Sequence, residues 1–181
     1  MPEGPQQDAL NALEKQLPQG RNYDSPPLHL WHPPLSGDID IVIHTDGSWW
    51  HEGAPIKREA IVRVFASILR REDDGEYYLV TPGEKWRIRV EAHALQIVEI
   101  DREAGSEGQL TVILNTGKRY PVDADHPLFL DPDNKGVVGI KLPHGLSALC
   151  SRAAWYRLVE QAEEVDGVPT IRSAGQSWPL Q

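Results

Sequence analysis

DGSWWHEGAPIKREAIVRVFASILRREDDGEYYLVTPGEKWRIRV, residues 46–90, is the stretch that decides how the chain reads. From Lys57 to Leu69, apolar residues fall at Ala60, Ile61, Val64, Phe65, Ile68 and Leu69. That i, i+3/i+4 spacing predicts a helix with one apolar face. Arg58, Glu59, Arg63 and Arg70 fall on the other face, and Arg70 and Arg71 would sit at the electronegative C-terminal end. Asp73-Asp74-Gly75 would end the helix. Glu76–Thr81 and Trp86–Glu91 then read as strands joined by the Pro82-Gly83-Glu84-Lys85 turn.

Upstream, Asp38–His44 alternates with Ile39, Ile41 and Ile43 on one side, the period of a half-buried strand. Thr45-Asp46-Gly47 is a hairpin turn, Ser48–His51 the returning strand, and Glu52-Gly53-Ala54-Pro55 a second turn. Downstream, strands are expected at Leu95–Asp101, Leu110–Asn115, Arg119–Val122, Gly136–Leu142 and Leu146–Cys150, with a polar loop at Glu103–Gly108. Ser151 N-caps a second helix, Arg152–Glu163, with Trp155, Leu158, Val159 and Ala162 on its apolar face and Gly167 closing it. The last fourteen residues read as a tail carrying Trp178.

At the other end, Asp8–Gln16 has the spacing of a short helix. Pro26, Pro27, Pro33 and Pro34 forbid regular structure after it, and Leu30 and Trp31 would anchor this arm. The organisation expected is therefore a helix and Pro-rich arm over 1–37, an α+β roll over 38–94, a mainly β roll with a helix over 95–167, and a tail over 168–181. Two internal echoes accompany it. Thr45–Trp50 resembles Asn115–Tyr120 in its turn-then-aromatic order, and Tyr78–Val90 resembles Gly139–Ser151 as strand, Pro-centred turn, strand.

The chain has 181 residues, 40% apolar and 25% charged, the composition of an ordinary globular protein. Net charge is −9, from 27 acidic against 18 basic residues, which argues against nucleic-acid binding. No apolar run approaches the ~20 residues of a membrane span, and MPEGPQQDAL lacks the features of a secretory signal. With a single cysteine, Cys150, the expectation is a soluble cytoplasmic protein without an intrachain disulfide.

The run GSWWHEGAPIKREAIVRVFASILRREDDGEYYLVTPGEKWRIRVEA resembles the bacterial domain-of-unknown-function family 1285. The likeness rests on Gly47, Trp49, Gly53, Pro55, Ile56, Arg58 and Phe65, then Tyr78, Leu79, Val80, Thr81, Pro82, Glu84 and Lys85. It extends more loosely over roughly residues 35–165. Gly83, where an apolar residue is expected, and Trp86, directly after the Glu-Lys pair, depart from the pattern. The resemblance implies an α+β fold of two small rolls or half-barrels with related strand-turn-strand motifs. It also implies a part in ligand-responsive signalling or regulation, and it brings no catalytic residues with it.

The candidate ligand-binding residues are Trp49, Trp50, His51, Arg58, Tyr78, Thr81, Glu84 and Lys85. Consecutive strand residues point to opposite faces, so one of Trp49 and Trp50 enters the core and the other is exposed. An exposed indole beside Arg58 would stack on a planar ligand while the guanidinium holds an anionic group. The bland alternative makes the aromatics core and Glu84-Lys85 a surface ion pair. Lys85, Arg87 and Arg89 share one strand face, either receiving an acidic group or forming a solvated, balanced surface.

Metal and catalytic templates fit poorly. Asp131–Gly136 begins like a calcium loop, but Lys135 takes a ligand position and Leu142 stands where a bidentate Glu belongs. Neither Asp123, Asp125 and His126 nor His29 and His32 make a complete ligand set. There is no nucleophile elbow, phosphate loop or dinucleotide fingerprint, and Cys150 reads as a small core residue. No cofactor is specified. The leading reading is a non-enzymatic binder of a small anionic or planar ligand. A protein-interaction adaptor using exposed aromatics or a sheet edge comes second, and a hydrolase third.

Overall fold

The computed structural model describes Asn11, residues 25–102, Ala104 and residues 108–181. Apart from Asn11, the expected Asp8–Gln16 helix lies outside the described residues, as does most of the 103–108 loop. The chain divides into two compact units, Met1–Ala92 and His93–Gln181.

The first unit contains β1 (Leu35–Ile43), β2 (Trp49–His51), β3 (Ala54–Pro55), α1 (Glu59–Ser67), β4 (Leu69–Arg71), β5 (Tyr77–Val80) and β6 (Lys85–Val90). They form one sheet in the order β3-β2-β1-β6-β5-β4. The chain starts at the centre and meanders out to β3. It crosses through α1 to β4 at the opposite edge, then returns to β6, which lies parallel beside β1.

The second unit repeats this path. Its strands β7 (Leu95–Arg102), β8 (Leu110–Leu114), β9 (Arg119–Pro121), β10 (Leu128–Asp131), β11 (Val137–Lys141) and β12 (Ser147–Cys150) form the order β10-β11-β12-β7-β8-β9. Again the first and last strands pair in parallel at the centre. Here the crossover from β9 to β10 is a loop, and the helix α2 (Arg152–Glu160) follows β12 instead. The architecture is therefore α+β, with two related units, each a six-stranded mixed sheet with one helix. The echo between Tyr78–Val90 and Gly139–Ser151 falls on equivalent hairpins, β5–β6 and β11–β12. The other echo joins β1 to β2 in one unit and β8 to β9 in the other, which are not equivalent positions.

In the first unit the alternation of β1 buries Ile39, Ile41 and Ile43, and Trp49, paired opposite Ile43, joins them. Phe65 of α1, fully buried, lies against Trp49 with ring centroids 6.4 Å apart. The helix is shorter than its apolar spacing predicts. Leu69 leaves the helical path to pair with Leu79, so Leu69–Arg71 is an edge strand and Arg70 and Arg71 do not cap a helix. Asp73-Asp74-Gly75 forms the β4–β5 turn: Gly75 has φ +83° and donates its N–H to the Glu72 carbonyl at 2.9 Å. In the Pro-rich arm the anchor is Leu28, within a single 3-10 turn, whereas Leu30 is 66% exposed.

In the second unit the buried face of α2 is Ala154 and Leu158, leaving Val159 exposed and Trp155 half-buried. The segment expected as a tail is structured. Strands β13 (Glu163–Val165), β14 (Val168–Ser173) and β15 (Gln176–Pro179) make a three-stranded sheet. Its turns, Asp166-Gly167 and Ala174-Gly175, have positive φ at both central residues, the type I′ geometry that matches strand twist. Gly167 therefore turns a hairpin and does not close the helix. The Ser173 hydroxyl, 2% exposed, donates to the Val122 carbonyl at 2.6 Å and accepts from the Leu110 N–H at 2.8 Å. It ties this sheet to β8. Among the described residues no helix is long and apolar enough to cross a membrane.

Candidate functional site

The eight expected ligand-binding residues all lie in the first unit, but they do not converge on one point. β2 splits its three between two faces. Trp49 and His51 point inward, Trp50 outward. The half-buried Trp50 indole donates to Ser48 Oγ at 3.0 Å and meets the edge of His44 at 5.3 Å. It is thus held by its own turn. Trp49 is 2% exposed. Its Nε1 and the Nε2 of His51 are the buried side-chain polar atoms without a hydrogen-bond partner among the described residues.

Tyr78 and Lys85 sit on the outer face in a charged network. The Tyr78 hydroxyl donates to Asp74 Oδ2 at 2.5 Å, and that bond pushes the phenol up to about 12. Lys85 Nζ lies 4.6 Å from the centre of the Tyr78 ring and 3.0 Å from Glu72 Oε2. Arg70 meets Glu72 Oε1 at 2.6 Å and donates to the carbonyls of Leu28 and Trp31 at 3.0 and 2.9 Å. Partial burial pushes the Glu72 carboxyl up, but the hydrogen bonds from Arg70 and Lys85 outweigh it and hold the group below its ordinary value. Lys85 therefore pairs with Glu72, not with its neighbour Glu84, whose carboxylate accepts from Trp86 Nε1 at 3.2 Å. Thr81 is buried in the β5–β6 turn, and its Oγ1 accepts the Glu84 N–H at 3.1 Å. Arg58 is exposed at the N-cap of α1, with extended backbone and no side-chain capping bond.

The cations of β6 do alternate onto one face, and each finds a carboxylate. Arg87 holds both oxygens of Asp38 at 2.8 and 3.1 Å, and Arg89 meets Asp40 at 2.9 Å. Arg87 keeps the Asp38 carboxyl below its ordinary value. His44 and Glu91 extend the row at 2.8 Å. A groove of about 360 Å³ runs over this ladder, lined by Asp38, Asp40, Glu76, Arg87 and Arg89. It includes neither Arg58 nor an aromatic side chain.

Sequence reasoning missed a cluster in the second unit. His93 lies 2.6 Å from both Asp131 Oδ2 and Ser147 Oγ. Asp131 opens the segment that begins like a calcium loop, and its carboxylate is occupied by His93, Asn134 and the Asp133 N–H. Cys150 is buried, and burial pushes its thiol up to about 12.

The comparisons agree with this division. The model of the DUF1285 N-terminal domain matches residues 26–93, and that of the DUF1285 C-terminal domain matches residues 94–180. No curated protein matches the chain. A DUF1285 family protein from Silicibacter pomeroyi DSS-3 shares 34% identity, covering 94% of this chain and 93% of its own, with a TM-score of 0.83. A second, from Shewanella baltica OS155, shares 33% identity over 66% of this chain and 90% of its own, with a TM-score of 0.56. With both domain models matched in sequence along nearly the whole described chain, the protein belongs to the DUF1285 family, a family of unknown function.

Proposed function

We propose that the protein is a small-ligand-binding module of cytoplasmic signalling or regulation, and that its guest is held on the inner face of β2 by Trp49 and His51. One observation carries this reading. Two neighbouring inward residues of a three-residue strand hold the buried polar atoms that lack partners among the described residues. A buried polar atom left unpaired costs about 1–3 kcal/mol. A guest with an oxygen acceptor for the indole N–H, and a second polar atom for the imidazole, recovers that cost on binding. Trp Nε1 only donates, so the guest presents an acceptor there. A carboxylate or carbonyl on a planar frame meets this requirement. The cytoplasmic setting is in line with a single, buried cysteine.

Strand addition by a protein partner has less to work with. The edge strands are short: β3 has two residues, β4, β9 and β13 have three, β10 and β15 have four, and β3, β9 and β15 end in Pro. Short, Pro-bearing edges resist pairing with another chain.

Native mass spectrometry of the full chain, gently isolated from its own host, tests the reading. A small molecule retained by the wild type and lost from Trp49→Phe, which keeps the ring and deletes the donor, supports it. A clean apo mass for both, with Trp49→Phe at least as stable as wild type, overturns it. In that case the indole N–H was serving no guest.

A further inference from the structure

The relay in the second unit stands apart from the ligand-binding reading and does not depend on it. His93 precedes β7, Asp131 ends β10 and Ser147 begins β12. Asp131 is 5% exposed and, besides His93, accepts from the Asp133 N–H at 3.0 Å and from Asn134 Nδ2 at 2.7 Å. Burial pushes its carboxyl up, but these donors outweigh burial and hold it below its ordinary value. An ionised carboxylate only accepts, so the ring hydrogen of neutral His93 must sit on Nε2. Nδ1 is then bare, and its 2.6 Å contact with Ser147 Oγ must be the serine hydroxyl donating to it.

Nucleophile, base and orienting carboxylate thus stand in line with the proton flow already directed. The imidazole is also buttressed. Phe129 lies beside it with centroids 5.8 Å apart and planes at 34°, and Phe129 keeps that position because Gly139 has no Cβ to obstruct the ring. Ser147 and His93 are half-buried and the carboxylate is buried. That is the order of exposure a reacting serine requires.

We propose that Ser147 is a nucleophile toward small activated esters, with His93 as its general base and Asp131 as the positioning residue. Ser147 Oγ bonds to the carbonyl carbon while its proton passes to His93 Nδ1. The bond to the leaving alcohol breaks and the alcohol takes that proton. Water then attacks the acyl-serine, giving a proton to Nδ1 that returns to Ser147 Oγ as the acid departs. The sum is ester plus water giving acid plus alcohol.

The folded full chain treated with a fluorophosphonate probe tests this. The expected result is one phosphonyl adduct, formed with loss of fluoride and mapped by peptide mass to Ser147. It is absent in Ser147→Ala and forms about 10-fold or more slowly in His93→Gln. Asp131→Asn, which removes the charge and keeps the shape, gives a second slowed variant should His93→Gln not fold by circular dichroism. No adduct on folded wild type, under conditions that label a serine hydrolase control, overturns the proposal. So does an adduct on another residue, or labelling of Ser147 at full rate in folded His93→Gln or Asp131→Asn. In those cases the relay only pins β10 to β12.

Discussion

Ser173→Ala removes one oxygen atom from the segment that sequence patterning reads as a tail. The structure makes the expected penalty large. The hydroxyl is 2% exposed and serves two backbone groups at once, the Leu110 N–H at 2.8 Å and the Val122 carbonyl at 2.6 Å. Leu110 and Val122 are themselves fully buried. Alanine leaves a donor and an acceptor unpaired in the core, each costing about 1–3 kcal/mol. Taking the lower half of that range for both gives about 2–4 kcal/mol. Urea unfolding followed by tryptophan fluorescence and by far-UV circular dichroism measures it, provided the slope of the transition is unchanged. Ser177→Ala is the control: Ser177 is exposed on β15, and its loss should stay within about 0.5 kcal/mol. If Ser173→Ala unfolds at the same midpoint as Ser177→Ala, the hairpin is not part of the core and the reasoning fails.

Gly139→Ala should destabilise the second unit by about 1–3 kcal/mol, because a Cβ there would lie 2.7 Å from Phe129 Cε1 and 2.9 Å from the Ala148 carbonyl oxygen. Adding Phe129→Leu should recover part of the loss, and a double-mutant cycle without coupling would refute the steric account. Glu72 has a folded-state pKa below its ordinary 4.5, so its contribution is present above that value and disappears as pH falls through the folded value. Glu72→Gln should therefore flatten stability against pH on the acid side, and an unchanged acid limb in parallel melts would show the network contributes nothing. Cys150, its thiol pushed up to about 12, should resist a disulfide-exchange reagent at pH 8 until the protein unfolds. Rapid reaction of the native protein would contradict its burial. In the same way Tyr78, buried and with its phenol pushed up to about 12 by the bond to Asp74, should ionise late in an ultraviolet titration, and Tyr78→Phe should abolish that late step.

The elements with a long, unbroken period were legible. Phe65 and its neighbours mark α1, and Pro82-Gly83 between two apolar runs marks the β5–β6 hairpin. β4 was not, because Leu69-Arg70-Arg71 continues the helical spacing, and three residues are too few to separate a period of 3.6 from one of 2. Asp166-Gly167 carried a strong hairpin signal, but its place just after a helix made Gly167 look like a C-terminal stop. Within the candidate site, alternation shows that Trp49 and Trp50 diverge. It takes the pairing of Trp49 with the buried Ile43 to decide which goes inward. The salt ladder depends on β1 lying parallel to β6, a pairing between strands about fifty residues apart. The relay of His93, Asp131 and Ser147 had no local signal at all, since only the strand order of the second sheet brings the three together.

That strand order has a consequence for synthesis. In both sheets the last strand made is also a middle strand: β6 lies between β1 and β5, and β12 between β11 and β7. A nascent chain that has not yet released Val90 holds two separate meanders whose inner edges both lack a neighbour, and the same is true of the second unit before Cys150. Neither sheet can therefore be completed until its last, short strand has been made and enters between the two halves. Truncation inside β6 or β12 removes the middle of a sheet, not its margin, so stalled products of this chain should be natural clients of chaperones.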